Sequence, residues 1–154
     1  MKFPQTAVAA LAASAFAATV ALAQEKLTED MPKAIDGIET ACDGTTIANR
    51  NDPKWRAYSL RLEFAGKGGQ YLGGETVTVK GGEIDLSVQC QGPWVLMKLP
   101  AGSYHVSADV PDAGHKEMNV RVPARGQQVV LFSFPNAGGE ITRPTSQPRV
   151  AAAQ

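Results

Sequence analysis

Two cysteines and two histidines are the side chains of this chain with the clearest covalent or metal chemistry. If the chain is exported, Cys42 and Cys90 are most simply one disulfide, because oxidising compartments favour paired thiols. The bond would close a loop of about 48 residues, which the chain-entropy picture values at up to about 4 kcal/mol. Free or metal-binding thiols are the competing reading, disfavoured by the lack of any close Cys or His spacing. A copper or zinc site would have to be built from His105, His115, Met97 or Met118 with the cysteines. The two histidines are not at ligand spacing, His105 falls on the outward side of a strand pattern and His115 in a turn, and both methionines fit core strands. The expectation is therefore solvated histidines, with no metal and no cofactor. Nor is there a His and carboxylate cluster for a metallopeptidase, or a G-x-S-x-G turn, and Ser103 has no assigned base. No catalytic residue is assigned and the chain is expected not to be an enzyme. Trp55, Trp94 and Tyr71 carry rings that could stack on a sugar. Trp94 has buried-type neighbours, so Trp55 and Tyr71 are the candidate binding residues, with Trp55 the better placed for exposure.

Residues 92–110 organise the elements that must hold these groups. Trp94-Val95-Leu96-Met97 is apolar throughout, as a strand buried on both faces should be. Pro100-Ala101-Gly102 breaks it. From Tyr104 the pattern alternates: Tyr104, Val106, Ala108 and Val110 on one side, His105, Ser107 and Asp109 on the other. Similar alternation runs through Tyr58, Leu60, Leu62 and Phe64, and through Ile84, Leu86, Val88 and Cys90, which turns Cys90 toward the core. Thr76-Val77-Thr78-Val79 is a β-branched strand run, Met118, Val120 and Val122 alternate, and Val130, Phe132 and Phe134 close the series. A further short strand is expected around Tyr71-Leu72. About seven strands spaced by Gly and Pro turns predict an all-β antiparallel sandwich.

The ends read differently. Residues 1–23 have a basic start, a short apolar run and small residues at 21 and 23, the pattern of a secretory signal peptide. Cleavage near Ala23 and a periplasmic or secreted destination follow as expectations, with no membrane span afterwards. Residues 24–57 form an N-terminal extension, a short helix or flap, in which Leu27, Met31, Ile35, Ile38 and Cys42 recur at helical spacing interrupted by Pro32 and Gly37. Residues 135–154 are rich in Pro, Gly and Ala and predict a disordered tail. The charge balance, 15 basic against 15 acidic residues, gives no pull toward nucleic acid.

The motifs then carry a family likeness. Leu99-Pro100, Gly102 and Tyr104, followed by an alternating strand, resemble the signature turn of the carboxypeptidase regulatory-like domain, a transthyretin-like seven-stranded sandwich. Gly69-Gln70-Tyr71-Leu72, Val77-Thr78-Val79 and Gly92-Pro93-Trp94 precede that turn in the same order as in small exported bacterial proteins that carry this domain alone. The likeness spans residues 58–134. It departs in the turn before Gly92-Pro93, which contains Glu83, and in the Cys42 segment, which is not part of the general domain. The hydrolase relatives of transthyretin need active-site histidines and a C-terminal tetrapeptide, and this chain ends Ala-Ala-Ala-Gln154. The resemblance implies a non-enzymatic structural or protein-interaction module of the bacterial cell envelope, with an envelope protein or a glycan as partner. The alternative is a carbohydrate-binding module using Trp55 and Tyr71.

Overall fold

The computed structural model describes residues 24–137. The expected signal peptide and all but the first three residues of the expected tail lie outside that range.

Ten strands form two sheets of five among the described residues. In chain order they are β1 (Glu25–Lys26), β2 (Lys33–Ile35), β3 (Ile38–Asp43), β4 (Leu60–Gly66), β5 (Thr76–Gly81), β6 (Ile84–Gln89), β7 (Trp94–Met97), β8 (Gly102–Val110), β9 (Gly114–Val122) and β10 (Gln128–Phe134). The first sheet runs β1-β6-β5-β8-β9 and the second β10-β4-β7-β3-β2. Between β3 and β4 lie a one-turn helix α1 (Ile47–Arg50) and a 3-10 turn (Pro53–Ala57). The inward side chains of both sheets meet in one core that includes Leu62, Phe64, Val77, Val106 and Phe132. The all-β, sandwich-like expectation holds.

The expected seven antiparallel strands do not. Two pairings are parallel, β1 with β6 and β10 with β4. After β9 the chain crosses to the opposite sheet and lays β10 along β4, so that Phe132 registers with Phe64 and their rings stack at 5.4 Å. The extra strands come from residues 24–57. There the helical spacing is coincidental: Leu27, Ile35, Ile38 and Cys42 are buried from separate extended segments, while Met31 is exposed. Asp36-Gly37, with φ of +48° and +79°, closes a two-residue hairpin in which Ile35 pairs with Ile38. Such a turn needs positive φ at both central positions, which Asp-Gly tolerates well. β3 thus sits inside the second sheet, between β7 and β2.

The two central strands behave as their patterns predict. Every residue of β7 is buried, whereas β8 alternates. The turn between them is held by the Tyr104 hydroxyl, which donates to the Pro100 carbonyl at 2.8 Å. Gly92 is fixed by close approach, since a Cβ there would sit 2.6 Å from the Asp43 carbonyl oxygen. Tyr71 makes only an isolated bridge to Ala65 in place of the expected strand. Residues 135–137, expected to begin a disordered tail, are ordered: Ala137 is buried, and its carbonyl accepts from Lys67 N and Gln70 Nε2.

Candidate functional site

The two sheets turn very different outer faces away from the core. On the second sheet, residues of β3 and β7 that point away from the main core build a second, smaller one from Ala41, Trp55, Tyr58, Trp94 and Leu96. The segment between β3 and β4 supplies its lid. Thr46 caps α1 by accepting from Asn49 N, and Asp43 Oδ1 accepts from Gly44 N and Asn49 Nδ2 at 2.6 and 2.8 Å. Asp52 caps the 3-10 turn through Lys54 N. Gln127 then ties the lid to the last turn, donating from Nε2 to the Trp55 and Tyr58 carbonyls.

Cations overlie the aromatic rings on this side. Arg61 lies 4.3 Å from the Trp94 ring centre, Lys54 4.5 Å from that of Trp55, Lys98 5.1 Å from that of Tyr58 and Arg50 4.4 Å from that of Tyr71. Each such contact is worth about 0.5–1 kcal/mol where exposed. The Tyr58 hydroxyl donates to Glu39 Oε1, and burial together with that carboxylate pushes the phenol well above its ordinary pKa. Glu39 in turn is held below the usual carboxylate range by hydrogen bonds from Lys98 and Tyr58.

This arrangement corrects the expected exposure of Trp55. Its ring is buried, 1% exposed, beneath Lys54 and against Tyr58. Tyr71 is exposed, but Arg50 occupies a face of its ring. The two candidate rings therefore do not form a common open platform. Trp94 is buried as expected, although in the smaller core.

Cys42 and Cys90 are joined as a disulfide, with both residues fully buried and Cα atoms 5.5 Å apart. It links β3 of the second sheet to the end of β6 in the first. Beside it, Cys90 N donates to the Glu75 carbonyl at 3.0 Å. The Glu75 side chain is fully buried and neither carboxyl oxygen has a hydrogen-bond partner among the described residues. Burial pushes its pKa up to about 9, so the group is neutral near pH 7.

The exposed apolar groups that remain include a pair on β10. Val129 and Leu131 point outward from the second sheet, 42% and 53% exposed, opposite Arg61 and Glu63 of β4. Among the described residues β10 pairs with β4 alone, so it is an edge strand. The sequence expectation of a protein-interaction module did not place an interaction surface. The signal was present in the run Val129-Val130-Leu131-Phe132, which is apolar on both sides.

No group of three or more His, Cys, Asp or Glu among the described residues is gathered closely enough to hold a metal ion as it stands. No helix among them is long and apolar enough to cross a membrane. The fold defines the class: a two-sheet, all-β sandwich with an internal disulfide. Compared with known proteins, the chain matches no protein-family model and no curated protein.

Proposed function

We propose that this protein is an exported, non-enzymatic module of the carboxypeptidase regulatory-like kind that serves protein interaction in the bacterial cell envelope. Its docking edge is β10, and the partner contributes an extended apolar segment. The observation that carries the reading is the adjacent pair Val129 and Leu131, exposed on an edge strand. Edge strands attract added strands through their free backbone groups, and side-chain pockets or stripes give such pairing its specificity. The buried disulfide supports an oxidising destination. The carbohydrate alternative is weakened by the burial of Trp55, which leaves Tyr71 to stack alone.

A photo-crosslinking residue at position 133, on the same side of β10 as Val129 and Leu131, is expected to trap one envelope protein. Val129→Lys with Leu131→Lys should remove that adduct while leaving the melting temperature nearly unchanged, because both side chains already face solvent. Failure to trap any protein, or trapping indifferent to the two lysines, refutes this docking edge. Loss of envelope polysaccharide binding in Tyr71→Ala alone would instead move the reading to the glycan alternative.

A further inference from the structure

β9 and β10 are neighbouring edge strands, β9 ending the first sheet and β10 the second. Gln128 N donates to the Ser59 carbonyl, so Gln128 turns its backbone groups toward β4. In a strand, alternate residues turn theirs the same way. Val130, Phe132 and Phe134 therefore bond to β4, while the N–H and C=O groups of Val129, Leu131 and Ser133 point to the open side. Two of these outward carbonyls already have donors. Gln128 Nε2 donates to the Val129 carbonyl at 3.3 Å, and Lys116 Nζ to that of Ser133 at 2.8 Å. Among the described residues, Leu131 alone keeps its outward carbonyl open beside its outward N–H.

Lys116 is placed for this contact by its register. It lies opposite Ala108 of β8, on the side of β9 that carries Met118, Val120 and Val122 toward the core. His115, the residue before it, is thereby on a strand, not in the turn that its sequence neighbourhood predicts. A charged residue on the inward side of an edge strand is a recurrent device against pairing with another chain. Here the ammonium crosses from the first sheet to the edge of the second. It has three protons to donate, and among the described residues it enters no ion pair. A strand added along β10 needs the Ser133 carbonyl for its own N–H and must move the ammonium aside. A carboxylate on that strand receives the displaced charge, whereas a strand without one leaves it unpaired. β10 itself has no acidic residue. A second copy docked antiparallel about Leu131 sets each Val129 against the other copy's Ser133. Both Lys116 bonds are then broken, and β10 supplies neither ammonium with a carboxylate.

We propose that Lys116 gates the β10 edge: it refuses a second copy of this chain and admits an extended segment that carries an acidic side chain. The segment's carboxylate receives the ammonium while its N–H takes over the Ser133 carbonyl. The inference rests on the reading of β10 as a docking edge and adds the chemistry of the segment that fits it. Leu131, with both outward backbone groups open, is where the segment first pairs. Val129 and Leu131 offer it an apolar stripe on the outer side. Gln128 is the weaker guard, since its amide is neutral and its bond longer. Specificity then comes from penalising the wrong strand as well as from contacts with the right one. The preference for an acidic segment should fade with added salt, as pairing between exposed charges does.

The test uses the purified protein in two measurements. In sedimentation, the wild type should run as a monomer, and Lys116→Met, which keeps an aliphatic stem without the charge, should shift toward a dimer. Adding Leu131→Lys, or alternatively Leu131→Pro, should return Lys116→Met to a monomer. Proline there removes only an N–H that faces outward, which an edge strand tolerates. Unchanged melting temperatures separate exposure of the edge from loss of the fold. The second measurement titrates a labelled heptapeptide of alternating threonine and valine, and its forms with one threonine replaced by glutamate. At least one glutamate form should bind the wild type about fivefold more tightly than the parent, the upper range for an exposed ion pair. Lys116→Met should abolish that advantage, and Lys116→Glu should favour the matching lysine form instead. A Lys116→Met protein that stays monomeric, a wild type that already pairs through β10, or a wild type that binds all the peptides alike overturns the proposal. Peptide preference without capture of an envelope protein would keep the gate and remove the envelope partner. Capture without preference would keep the partner and remove the gate.

Discussion

The outer faces of the two sheets are built on opposite plans. The first sheet leaves its outer face bare and polar: Thr78, Lys80, Asp85, His105, Ser107 and Glu117 pair with one another across β6, β5, β8 and β9. The second sheet covers much of its outer face with Trp55 and Tyr58, carried in by the segment between β3 and β4. The difference traces to the strands themselves. β8 alternates and needs one apolar cover, supplied by the opposing sheet. β7 is apolar on both sides, and Trp94 and Leu96 would stand in water without a second layer. A sandwich can thus keep one face free for polar contacts while spending an apolar layer on the other.

Trp55→Ala is the largest expected break in that contrast. Removing a buried aromatic costs about 3–5 kcal/mol, and this one also leaves Tyr58 and Trp94 without their cover. Lys80→Ala on the bare face should stay within about 0.5 kcal/mol, since its ion pair with Asp85 is exposed and 3.8 Å long. Denaturant unfolding of both variants measures the difference. Similar losses from the two would mean that the outer layer is not an integral part of the fold.

The disulfide sharpens the comparison by tying β3, the strand beneath the outer layer, to the first sheet. Cys42→Ala with Cys90→Ala should destabilise by up to about 4 kcal/mol through loop entropy. The loss should appear as a lower thermal midpoint of one common transition, because both cysteines belong to the main core. Two separate transitions would instead mark the outer layer as an independent unit.

Glu75 adds a pH dependence from the inward side of the bare sheet. Its carboxyl keeps its proton in the fold up to about pH 9 but releases it near 4.5 when the chain unfolds. Between those values the unfolded chain binds fewer protons, so stability falls as pH rises, by up to about 1.4 kcal/mol per unit. Below that window Glu75 contributes no slope. Glu75→Gln should flatten the decline and exceed the wild type in stability at pH 8. Urea midpoints from pH 5 to 9 provide the measurement, and an unchanged slope in the variant would exclude Glu75 as its source.

Much of this architecture was legible in local patterning, because a strand buried on one side must alternate. Tyr58 to Phe64, Ile84 to Gln89 and Tyr104 to Val110 announced themselves that way, as did the doubly buried Trp94 to Met97. Asp36-Gly37 was a readable hairpin signal, but the helical spacing of Leu27, Met31, Ile35, Ile38 and Cys42 competed with it. The burial of Trp55 was not readable, since its cover depends on Trp94 and Leu96, some 40 residues away in the chain. Nor does any local residue choice specify that β10 lies parallel to β4. The histidine pair falls between these cases. Once the turn after Val110 fixes the hairpin register, positions 105, 115 and 117 must share a face, yet their spacing along the chain conceals it.

The smallest expected effect tests how closely the bare face organises its polar groups. His105 has its pKa raised above the ordinary value of 6.5, first by the hydrogen bond with Asn119 and then by that with Glu117. Desolvation and the charge of Lys80 act in the opposite direction. A histidine raised in the folded state stabilises the fold below its unfolded pKa, and that contribution disappears as pH rises through the folded value. Here the side chain is too exposed for a large change in stability, so the titration midpoint is the appropriate readout. Asn119→Ala and Glu117→Gln should each lower the midpoint of His105 in an NMR titration. Lys80→Ala should raise it. If all three variants titrated like the wild type, the outer face would be a set of independently solvated side chains rather than an ordered array, and its contrast with the covered face would rest on burial alone.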